Sequence, residues 1–346
     1  MKAAILEEVG KLPLVVKDID IPQPKTHEML LKVAACGFCH SDIHNAKGEP
    51  AAAKTKDLVG GHEITGTIEE VGDSCRNLRN LKVGDRAIVK LFVGCGSCPS
   101  CNRGQENMCP QFKDPGNHYD GGFQEYVSLD ERFFLPFPSD LPLHESSILA
   151  CAGGTAYQAL KTDGGLDAGN SVAVFGCGGL GLIGIQIARA LGATTIIGVD
   201  ILENKLAAAE KFGATHVIDG LKNDVPATVM KITDNWGVDV AIDVTPKTQM
   251  VPAIKSVRSG GRLAVCGLGF KGLELSLPRE LLSQKTIIGT TGYSGDVVLP
   301  EVFKLARAGK IDPVNMISHR YSLDQINEAF DGLLAGQHLR AIIQIH

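Results

Sequence analysis

The sequence predicts an α/β fold with two parts, a doubly wound parallel sheet and a β-rich domain. Three observations support this prediction. A Gly-rich loop at residue 176 follows a buried strand and opens a helix. Strands and helices alternate after Cys151, whereas roughly the first 150 residues form short strands separated by Gly, Asp and Pro. The 346 residues also exceed what one hydrophobic core usually supports, so two domains are expected.

The composition is that of an ordinary globular protein. Hydrophobic residues make up 44% of the chain and charged residues 21%. The formal net charge of −5 offers no basic surface to nucleic acid, and no apolar run is long enough to cross a bilayer. The first residues turn acidic too early for a signal peptide, so the ten cysteines favour metal thiolates in a reducing compartment. We therefore expect a cytoplasmic protein with no nucleic-acid or membrane partner.

The β-rich part contains short apolar runs bounded by turn residues. The predicted strands are Met29–Val33, Gly66–Val71 and Arg86–Val89. From about Tyr293 the chain departs from the alternating pattern of the second part. The remaining predicted elements could therefore pack with the β-rich part. They are helices near residues 300–308 and 323–334 and a strand at residues 341–345.

The second part alternates strands with helices. Its predicted elements are the strands Ser171–Phe175, Thr195–Asp200, His216–Ile218, Val238–Asp243 and Arg262–Cys266, and helices through Gln186–Leu191 and over Glu203–Phe212. This alternation implies a parallel sheet with right-handed crossover connections.

Four cysteines in one short segment predict a structural zinc site. Cys95, Cys98, Cys101 and Cys109 have the spacing C-x2-C-x2-C-x7-C. Zinc prefers four soft ligands in a tetrahedron, and short spacings let one loop wrap the ion. Inert or disulfide-bonded cysteines are the alternative, which this spacing makes improbable. The metal would hold a loop that has little core of its own.

A second, dispersed set has the composition of a catalytic zinc site. Cys39, His62 and Cys151 supply three ligands and leave a fourth position for water or substrate. Alone, each cysteine is more often a buried apolar residue, and His62 more often a hydrogen-bonded core histidine. The neighbouring Glu63 and Asp42 reverse that balance, because carboxylates orient the ligands of catalytic zinc.

The Gly-rich loop predicts a dinucleotide site. It fits the pattern G-x-G-x-x-G, a weak signal alone, but it follows a strand, opens a helix and precedes a second strand ending in Asp200. The glycines let the backbone approach a pyrophosphate at the helix N-terminus. Asp200 would accept hydrogen bonds from ribose hydroxyls and disfavour a 2′-phosphate, which favours NAD over NADP. The residues concerned are Gly176, Gly178, Gly179, Leu180, Gly181 and Asp200.

Zinc chemistry beside a nicotinamide site suggests hydride transfer to or from an alcohol. Ser41 and His44 lie two and five residues past the Cys39 thiolate. They can form a path that carries a proton from a buried alcohol to solvent.

At these residues the sequence resembles the zinc-dependent medium-chain alcohol dehydrogenase family, over essentially the whole chain. The segment Gly61–Gly66, continuing to Gly72, is similar to the zinc signature of that family. Cys39–Asp42, Ala150–Gly153 and His118–Phe123 look most like the tetrameric microbial alcohol dehydrogenases. The polyol dehydrogenase branch usually carries Glu where this chain has Cys151, and the quinone reductase branch lacks both zinc sites.

The resemblance implies a β-rich GroES-like catalytic domain formed by residues 1–151 and 293–346, and a Rossmann NAD-binding domain formed by residues 152–292. It implies one catalytic and one structural zinc per chain, an alcohol or aldehyde substrate, and a homotetramer. Strands near Thr286–Thr290 would pair across an interface between subunits, or form an ordinary internal strand.

The resemblance also implies roles for single residues. Cys39, His62 and Cys151 would bind the catalytic zinc, and Glu63 would lie beside the metal or exchange onto it. Asp42 would orient His62, Ser41 would contact the reacting oxygen, and His44 would end the proton relay. Other residues would contact NAD: Thr155 the nicotinamide, Lys205 the adenosine ribose, His40 and Arg340 the pyrophosphate, and Gly267 and Leu268 the walls of the nicotinamide pocket. A surface salt bridge is the alternative for Arg340.

The sequence leaves the substrate and two other classes of function open. Leu91, Phe92 and Tyr293 are plausible walls of the substrate pocket, but secondary alcohols, aromatic aldehydes, diols, other polyols and amino alcohols such as threonine all remain candidates. A non-catalytic sensor of zinc and NAD is a different class of function, and a zinc-ribbon module that contacts nucleic acid is another. The acidic charge and the complete set of predicted catalytic residues argue against both.

Overall fold

The computed structural model describes residues 1–48, 57–76, 78–246, 248–267 and 282–346, which form two compact units. Unit 1 consists of Met1–Cys151, Tyr293–Phe303 and Asp312–His346, and unit 2 of Ala152–Gly292 and Lys304–Ile311. None of the helices in the described part of the chain is both long and apolar enough to span a membrane.

The described strands, in chain order, are β1 (Lys2–Leu6), β2 (Val15–Asp18), β3 (Glu28–Phe38), β4 (Leu58–Val59), β5 (Glu63–Val71), β6 (Arg86–Val89), β7 (Tyr126–Asp130), β8 (Phe134–Pro136), β9 (Ser171–Phe175), β10 (Thr195–Asp200), β11 (His216–Asp219), β12 (Val238–Asp243), β13 (Val257–Val265), β14 (Thr286–Gly289), β15 (Ile317–Tyr321) and β16 (Arg340–Gln344).

The described α-helices are α1 (His40–Lys47), α2 (Pro99–Asn102), α3 (Ala152–Tyr157), α4 (Gly179–Ala190), α5 (Glu203–Phe212), α6 (Val225–Ile232), α7 (Met250–Ser256), α8 (Gly295–Arg307), α9 (Pro313–Met316) and α10 (Ile326–Leu334). Short 3₁₀ turns lie at Glu106–Met108, Glu131–Phe133, Glu145–Ala150 and Leu323–Gln325, and a π-helical turn at Gln158–Asp163.

Unit 1 is built on a mainly antiparallel sheet. Seven described strands belong to it, with β15, β16, β3, β5, β6 and β8 in that order and β7 paired to β3. The last strand β16 pairs with β3 through Ala341 and Phe38, so the C-terminal segment closes onto the N-terminal part of the chain. Phe38 packs edge-on against Phe330 of α10, with ring centroids 4.7 Å apart, in the core of the unit.

Some elements of unit 1 differ from their sequence-based predictions. The strand predicted at Gly66–Val71 is β5, which already begins at Glu63. The strand predicted at Met29–Val33 is β3, which continues to Phe38 because nearly all of its residues are buried and no polar alternation marks its end. The helix predicted to begin near Pro300 is α8, which begins at Gly295. Proline usually indicates a first helical turn, but here it lies inside the helix.

Unit 2 contains the predicted parallel sheet. Its six described strands lie in the order β11-β10-β9-β12-β13-β14, and every neighbouring pair is parallel. This is the strand order of a Rossmann fold, in which ligands bind beyond the carboxyl ends of the strands where the order reverses. The order reverses between β9 and β12, and β9 leads directly into the Gly-rich loop. The predicted fold class is therefore confirmed.

Asp239 ties the three middle strands of this sheet together. One carboxylate oxygen accepts hydrogen bonds from the backbone N–H and the hydroxyl of Ser171 on β9, both at 2.8 Å. The other accepts from Arg258 Nε on β13 at 2.6 Å. Burial alone would raise the pKa of Asp239, but these hydrogen bonds and the Arg258 charge outweigh burial and lower it.

We predict that Asp239→Asn lowers the stability of unit 2 by about 1–3 kcal/mol at pH 7, because hydrogen bonds to a carboxylate are lost. The folded-state pKa is depressed, so the carboxylate stabilises unit 2 fully above the unfolded value of about 4 and loses that effect as pH falls through the folded value. Urea unfolding followed by Trp236, the only tryptophan of the chain and part of unit 2, measures the difference. If the stability difference between the wild type and Asp239→Asn were the same at pH 7 and pH 3, the stabilising role of the Asp239 carboxylate would be contradicted.

Candidate active site

The four predicted zinc ligands of the cysteine-rich loop converge. The Sγ atoms of Cys95, Cys98, Cys101 and Cys109 all lie within 4.8 Å of one another. Backbone N–H groups already point at these sulfurs: Cys109 Sγ accepts from Cys95 N at 3.3 Å, and Cys98 Sγ accepts from Cys101 N at 3.5 Å. Such sulfurs fit a tetrahedral site with Zn–S bonds of about 2.3 Å.

Hydrogen bonds favour the thiolate form of two of these cysteines, whereas burial raises the pKa of Cys101 to about 12. Hydrogen bonds from the backbone and side chain of Ser97 lower the pKa of Cys95 to about 6. The backbone N–H of Cys101 lowers the pKa of Cys98 in the same way. All ten cysteines of the chain are free, as expected for metal thiolates.

The dispersed set also converges, because of how β3 pairs with β5. The register sets Gly37 opposite Glu63, so Cys39, just past the end of β3, lies beside His62 and Glu63 at the start of β5. The 3₁₀ turn Glu145–Ala150 delivers Cys151 to the same place. The metal-binding atoms of Cys39, His62, Glu63 and Cys151 lie within 4.8 Å of one another.

Asp42 holds two of these ligands in place. Its Oδ1 lies 2.9 Å from Nδ1 of His62, and its Oδ2 accepts the backbone N–H of Cys39 at 2.9 Å. Asp42 and His62 are both buried. Because Nδ1 donates to the carboxylate, the neutral imidazole presents the lone pair of Nε2 to a metal.

The Cys39 sulfur is prepared for metal binding. A hydrogen bond with Cys151 is the largest effect and lowers the pKa of Cys39 well below its ordinary value, although burial opposes it. His62 lowers this pKa further. The Oγ of Ser41 lies 3.7 Å from Cys39 Sγ, next to the centre, and His44 follows one turn later on α1.

Glu63 forms a buried ion pair that sequence reasoning missed. Its Oε2 accepts a hydrogen bond from Arg340, which lies 277 residues away and was expected on the pyrophosphate. Burial raises the pKa of Glu63 to about 7, although Arg340 opposes the shift. Glu63 Oε1 and Arg340 Nε are buried without hydrogen-bond partners among the described residues, so both retain unused capacity at the site.

The Gly-rich loop has the local geometry of a dinucleotide cradle. Gly178 is the N-cap of α4 and provides no side-chain cap, so the first N–H groups of the helix stay available. A Cβ at Gly178 would meet no atom within 4 Å, whereas one at Gly181 would lie 1.8 Å from the carbonyl oxygen of Gly176. One glycine thus keeps space open and another permits close packing of the helix on the strand. The first turn of α4 also contains Gly179 and Leu180.

Asp200 ends β10 beside this loop. It accepts three backbone N–H groups, those of Cys177 and Ile201 at 2.7 Å and that of Leu202 at 3.0 Å. A carboxylate has about four lone-pair sites, so capacity for ribose hydroxyls remains. Lys205 is nearby and buried, which lowers its pKa, while Asp200 opposes the shift.

The other residues predicted to contact the cofactor are distributed over both units. In unit 2, the Thr155 hydroxyl is buried without a hydrogen-bond partner in the described chain, and Gly267 follows β13 with its N–H on the carbonyl of Asp243 at 3.0 Å. His40 is the first residue of α1 in unit 1. Leu268 lies outside the described residues.

The residues present fit zinc and NAD. Two converging thiols, an oriented imidazole and an unsatisfied carboxylate oxygen form a zinc ligand set, and four converging thiols form another. An uncapped helix N-terminus beside open space, with a strand-end carboxylate nearby, fits a dinucleotide.

Comparison with known proteins identifies one family. Family models described as zinc-binding dehydrogenase and alcohol dehydrogenase GroES-like domain match residues 179–308 and 25–139. An alcohol dehydrogenase of Geobacillus stearothermophilus is 34% identical over 339 residues, with 97% of each chain covered. An NAD-dependent alcohol dehydrogenase of Sulfurisphaera tokodaii is 35% identical over 343 residues, with 96% of each covered.

The fold of the chain is also similar to that of a solved structure. The alcohol dehydrogenase of Aeropyrum pernix is 33% identical and superposes with a TM-score of 0.88, covering 99% of this chain and 100% of that one. The sequence matches span the zinc signature, the four-cysteine loop and the Gly-rich loop, and so confirm the resemblance inferred from those motifs. The chain belongs to the zinc-dependent medium-chain alcohol dehydrogenase family.

Proposed function

We infer that this protein is a zinc-dependent oxidoreductase that interconverts alcohols and aldehydes or ketones with NAD. The convergence of Cys39, His62, Glu63 and Cys151 carries this inference. Three protein ligands with an open fourth position are the usual construction of a catalytic zinc, whereas a structural site is closed. The names of the similar proteins, which include NAD-dependent alcohol dehydrogenase, support the same reaction.

We assign the metal ligands on their chemistry and geometry. Cys39, His62 and Cys151 would hold the catalytic zinc, and Cys95, Cys98, Cys101 and Cys109 the structural one. When bound, the catalytic metal polarises the reacting oxygen, and NAD exchanges hydride with the carbon. Asp42 keeps His62 in the tautomer that donates to it, which leaves Nε2 to the metal.

We assign the proton path to α1. Ser41 lies beside the predicted metal centre, and its hydroxyl can accept the proton of the alcohol while passing on its own. His44 lies three residues further along, on the same face of the helix, where a proton passed outward can reach solvent. Glu63 is paired with Arg340, so its negative charge is compensated next to the centre.

We assign NAD to the Gly-rich loop of unit 2. The pyrophosphate would occupy the open space at Gly178, and Asp200 would bind the adenosine ribose with Lys205 nearby. Thr155 has an unsatisfied buried hydroxyl suited to the nicotinamide amide. The roles given to His40, Gly267, Leu268 and Arg340 stay predictions.

The assembly, location and domain limits also stay proposals. We propose a homotetramer in which the edge strand β14 pairs with its counterpart in another subunit, since it ends the strand order of its sheet. We propose a cytoplasmic protein, which the ten free cysteines support. We also propose a catalytic domain of residues 1–151 and 293–346 and an NAD domain of residues 152–292, although residues 304–311 group with unit 2 by contacts.

NAD reduction tests the proposed reaction directly. We expect NADH to form with at least one member of a panel of primary, secondary, aromatic and polyhydroxy alcohols, and to form more slowly with NADP. A zinc chelator should abolish turnover, and added zinc should restore it, because the metal polarises the reacting oxygen. A protein shown to hold zinc and NAD that oxidises none of these alcohols would oppose the proposal and favour the sensor function.

Ser41→Ala tests the proton path. We expect turnover to fall by about 100-fold or more, the scale of general acid–base catalysis, while zinc content is unchanged. Ser128→Ala is a matched control, because the Ser128 hydroxyl donates to Glu28 on the opposite strand and lies outside the proposed path. Unchanged turnover in Ser41→Ala would remove this residue from the mechanism.

A pair of glycine variants tests the dinucleotide site. We expect Gly178→Ala to keep the thermal stability of the protein and to weaken NAD binding by at least about 10-fold, since the added methyl group enters the open space. Gly181→Ala should instead lower thermal stability, because its Cβ would collide with the Gly176 carbonyl. Calorimetry with NAD measures both effects, and wild-type affinity in Gly178→Ala would contradict the assignment.

A further inference from the structure

Tyr293 is a buried tyrosine next to a predicted zinc ligand. Its side chain is fully buried, and its hydroxyl donates a hydrogen bond to the carbonyl of Ala150, the residue before Cys151. Burial, with Cys151 nearby, raises the pKa of Tyr293 well above its ordinary value, so the phenol stays protonated and remains a donor.

The residues after Tyr293 are fixed to the four-cysteine loop, Cys95–Cys109. The Ser294 hydroxyl donates to the carbonyl of Gly104, inside that loop. The next residue, Gly295, packs so closely on Lys90 that a Cβ there would lie 2.5 Å from the lysine side chain. We call Tyr293–Asp296 the strap, because it runs from the Ala150 carbonyl to this loop.

A buried charge cluster fastens the other end of the strap. Lys90 is fully buried, and its Nζ lies 2.8 Å from Asp296 Oδ2 and 3.0 Å from Glu106 Oε2 in the four-cysteine loop. Arg79 binds the second oxygen of Asp296 at 2.5 Å. Removing either carboxylate would leave a buried lysine partly uncompensated, which is costly, so the cluster resists displacement.

We propose that Tyr293 is a positioning residue for Cys151, and that the strap couples the four-cysteine loop to the catalytic zinc site. This proposal rests on the assignment of Cys151 as a zinc ligand. The Ala150 carbonyl and the Cys151 nitrogen belong to one planar peptide group, so a hydrogen bond that fixes the carbonyl also fixes the start of Cys151. Ligand distances in a zinc site lie within about 0.2 Å of their usual values, so the orientation of Cys151 affects metal affinity.

Tyr293→Phe tests the positioning role, since it keeps the ring and removes only the hydroxyl. We expect about 10–100-fold weaker binding of the catalytic zinc, measured by competition with a chromogenic chelator. Cobalt substitution gives a second readout, because the absorption bands of a centre with two thiolates differ from those of one with four and respond to ligand geometry. Tyr321→Phe is the matched control: its hydroxyl bonds to His338 at 2.8 Å, elsewhere in unit 1.

Asp296→Asn tests the strap while leaving the chemical groups of Tyr293 and Ala150 in place. Glu106 still pairs with the buried Lys90 in this variant, so the lysine charge stays partly compensated and the variant is expected to fold. We expect a smaller loss of catalytic zinc affinity, in the same direction as Tyr293→Phe. The double variant should bind zinc no more weakly than Tyr293→Phe alone, because the strap acts through that hydroxyl.

Three results would overturn the proposal. In the first, Tyr293→Phe keeps the zinc affinity and cobalt spectrum of Tyr321→Phe. In the second, the effects of Tyr293→Phe and Asp296→Asn simply add, which would mean that the two residues act independently. In the third, the wild-type protein binds only one zinc, held by four thiolates. The third result would also refute Cys151 as a ligand and thus the proposed function, whereas the first two leave that function intact.

Discussion

The candidate catalytic centre depends on the pairing of β3 with β5. Their register sets Gly37 opposite Glu63, and a Cβ at Gly37 would lie 2.0 Å from a carboxylate oxygen of Glu63. Only glycine therefore lets Glu63 stay inside the site at this register. A shift by one residue would turn Glu63 and its neighbours to the other face of the sheet and separate His62 from Cys39.

The charges buried at this centre compensate one another. Asp42 is shared between the backbone of Cys39 and the imidazole of His62, and Glu63 is paired with Arg340. Buried charges are tolerated when they are paired, and losing one partner is much more costly than losing an exposed ion pair. The same principle applies to Lys90 beside the four-cysteine loop, so both predicted metal sites of unit 1 rest on buried charge clusters.

The local features of this chain were predictable from its sequence. The bounds of β9, β10, α5 and β12 agree with those expected, because their apolar runs end at Gly, Asp or charged residues. The side chains of each predicted zinc site lie close together, and the Gly-rich loop joins a strand to a helix, because these signals lie in short motifs with characteristic spacing. The geometry of such motifs is set by residues close together in the sequence and does not depend on distant contacts.

The long-range contacts were not indicated by any short motif in the sequence. Arg340 pairs with Glu63 from 277 residues away, and nothing around Arg340 in the sequence indicates a buried carboxylate as its partner. Lys90 is similar, because a lysine at the end of a strand usually indicates a solvent-exposed side chain. For Tyr293 the sequence suggested only a place in the wall of the substrate pocket, which stays a prediction. Its hydrogen bond to the Ala150 carbonyl depends on how two distant segments pack.

X-ray absorption spectroscopy at the zinc edge of the zinc-loaded protein, together with metal analysis, is the most direct test of the two predicted zinc sites. We expect two zinc ions per chain and an average shell of about three sulfur ligands near 2.3 Å and one nitrogen or oxygen ligand near 2.0–2.1 Å. One site offers four thiolates, and the other offers two thiolates, His62 and a fourth position for an oxygen ligand. One zinc per chain in a shell of four sulfurs would contradict this expectation, because Cys39, His62 and Cys151 would then bind no metal.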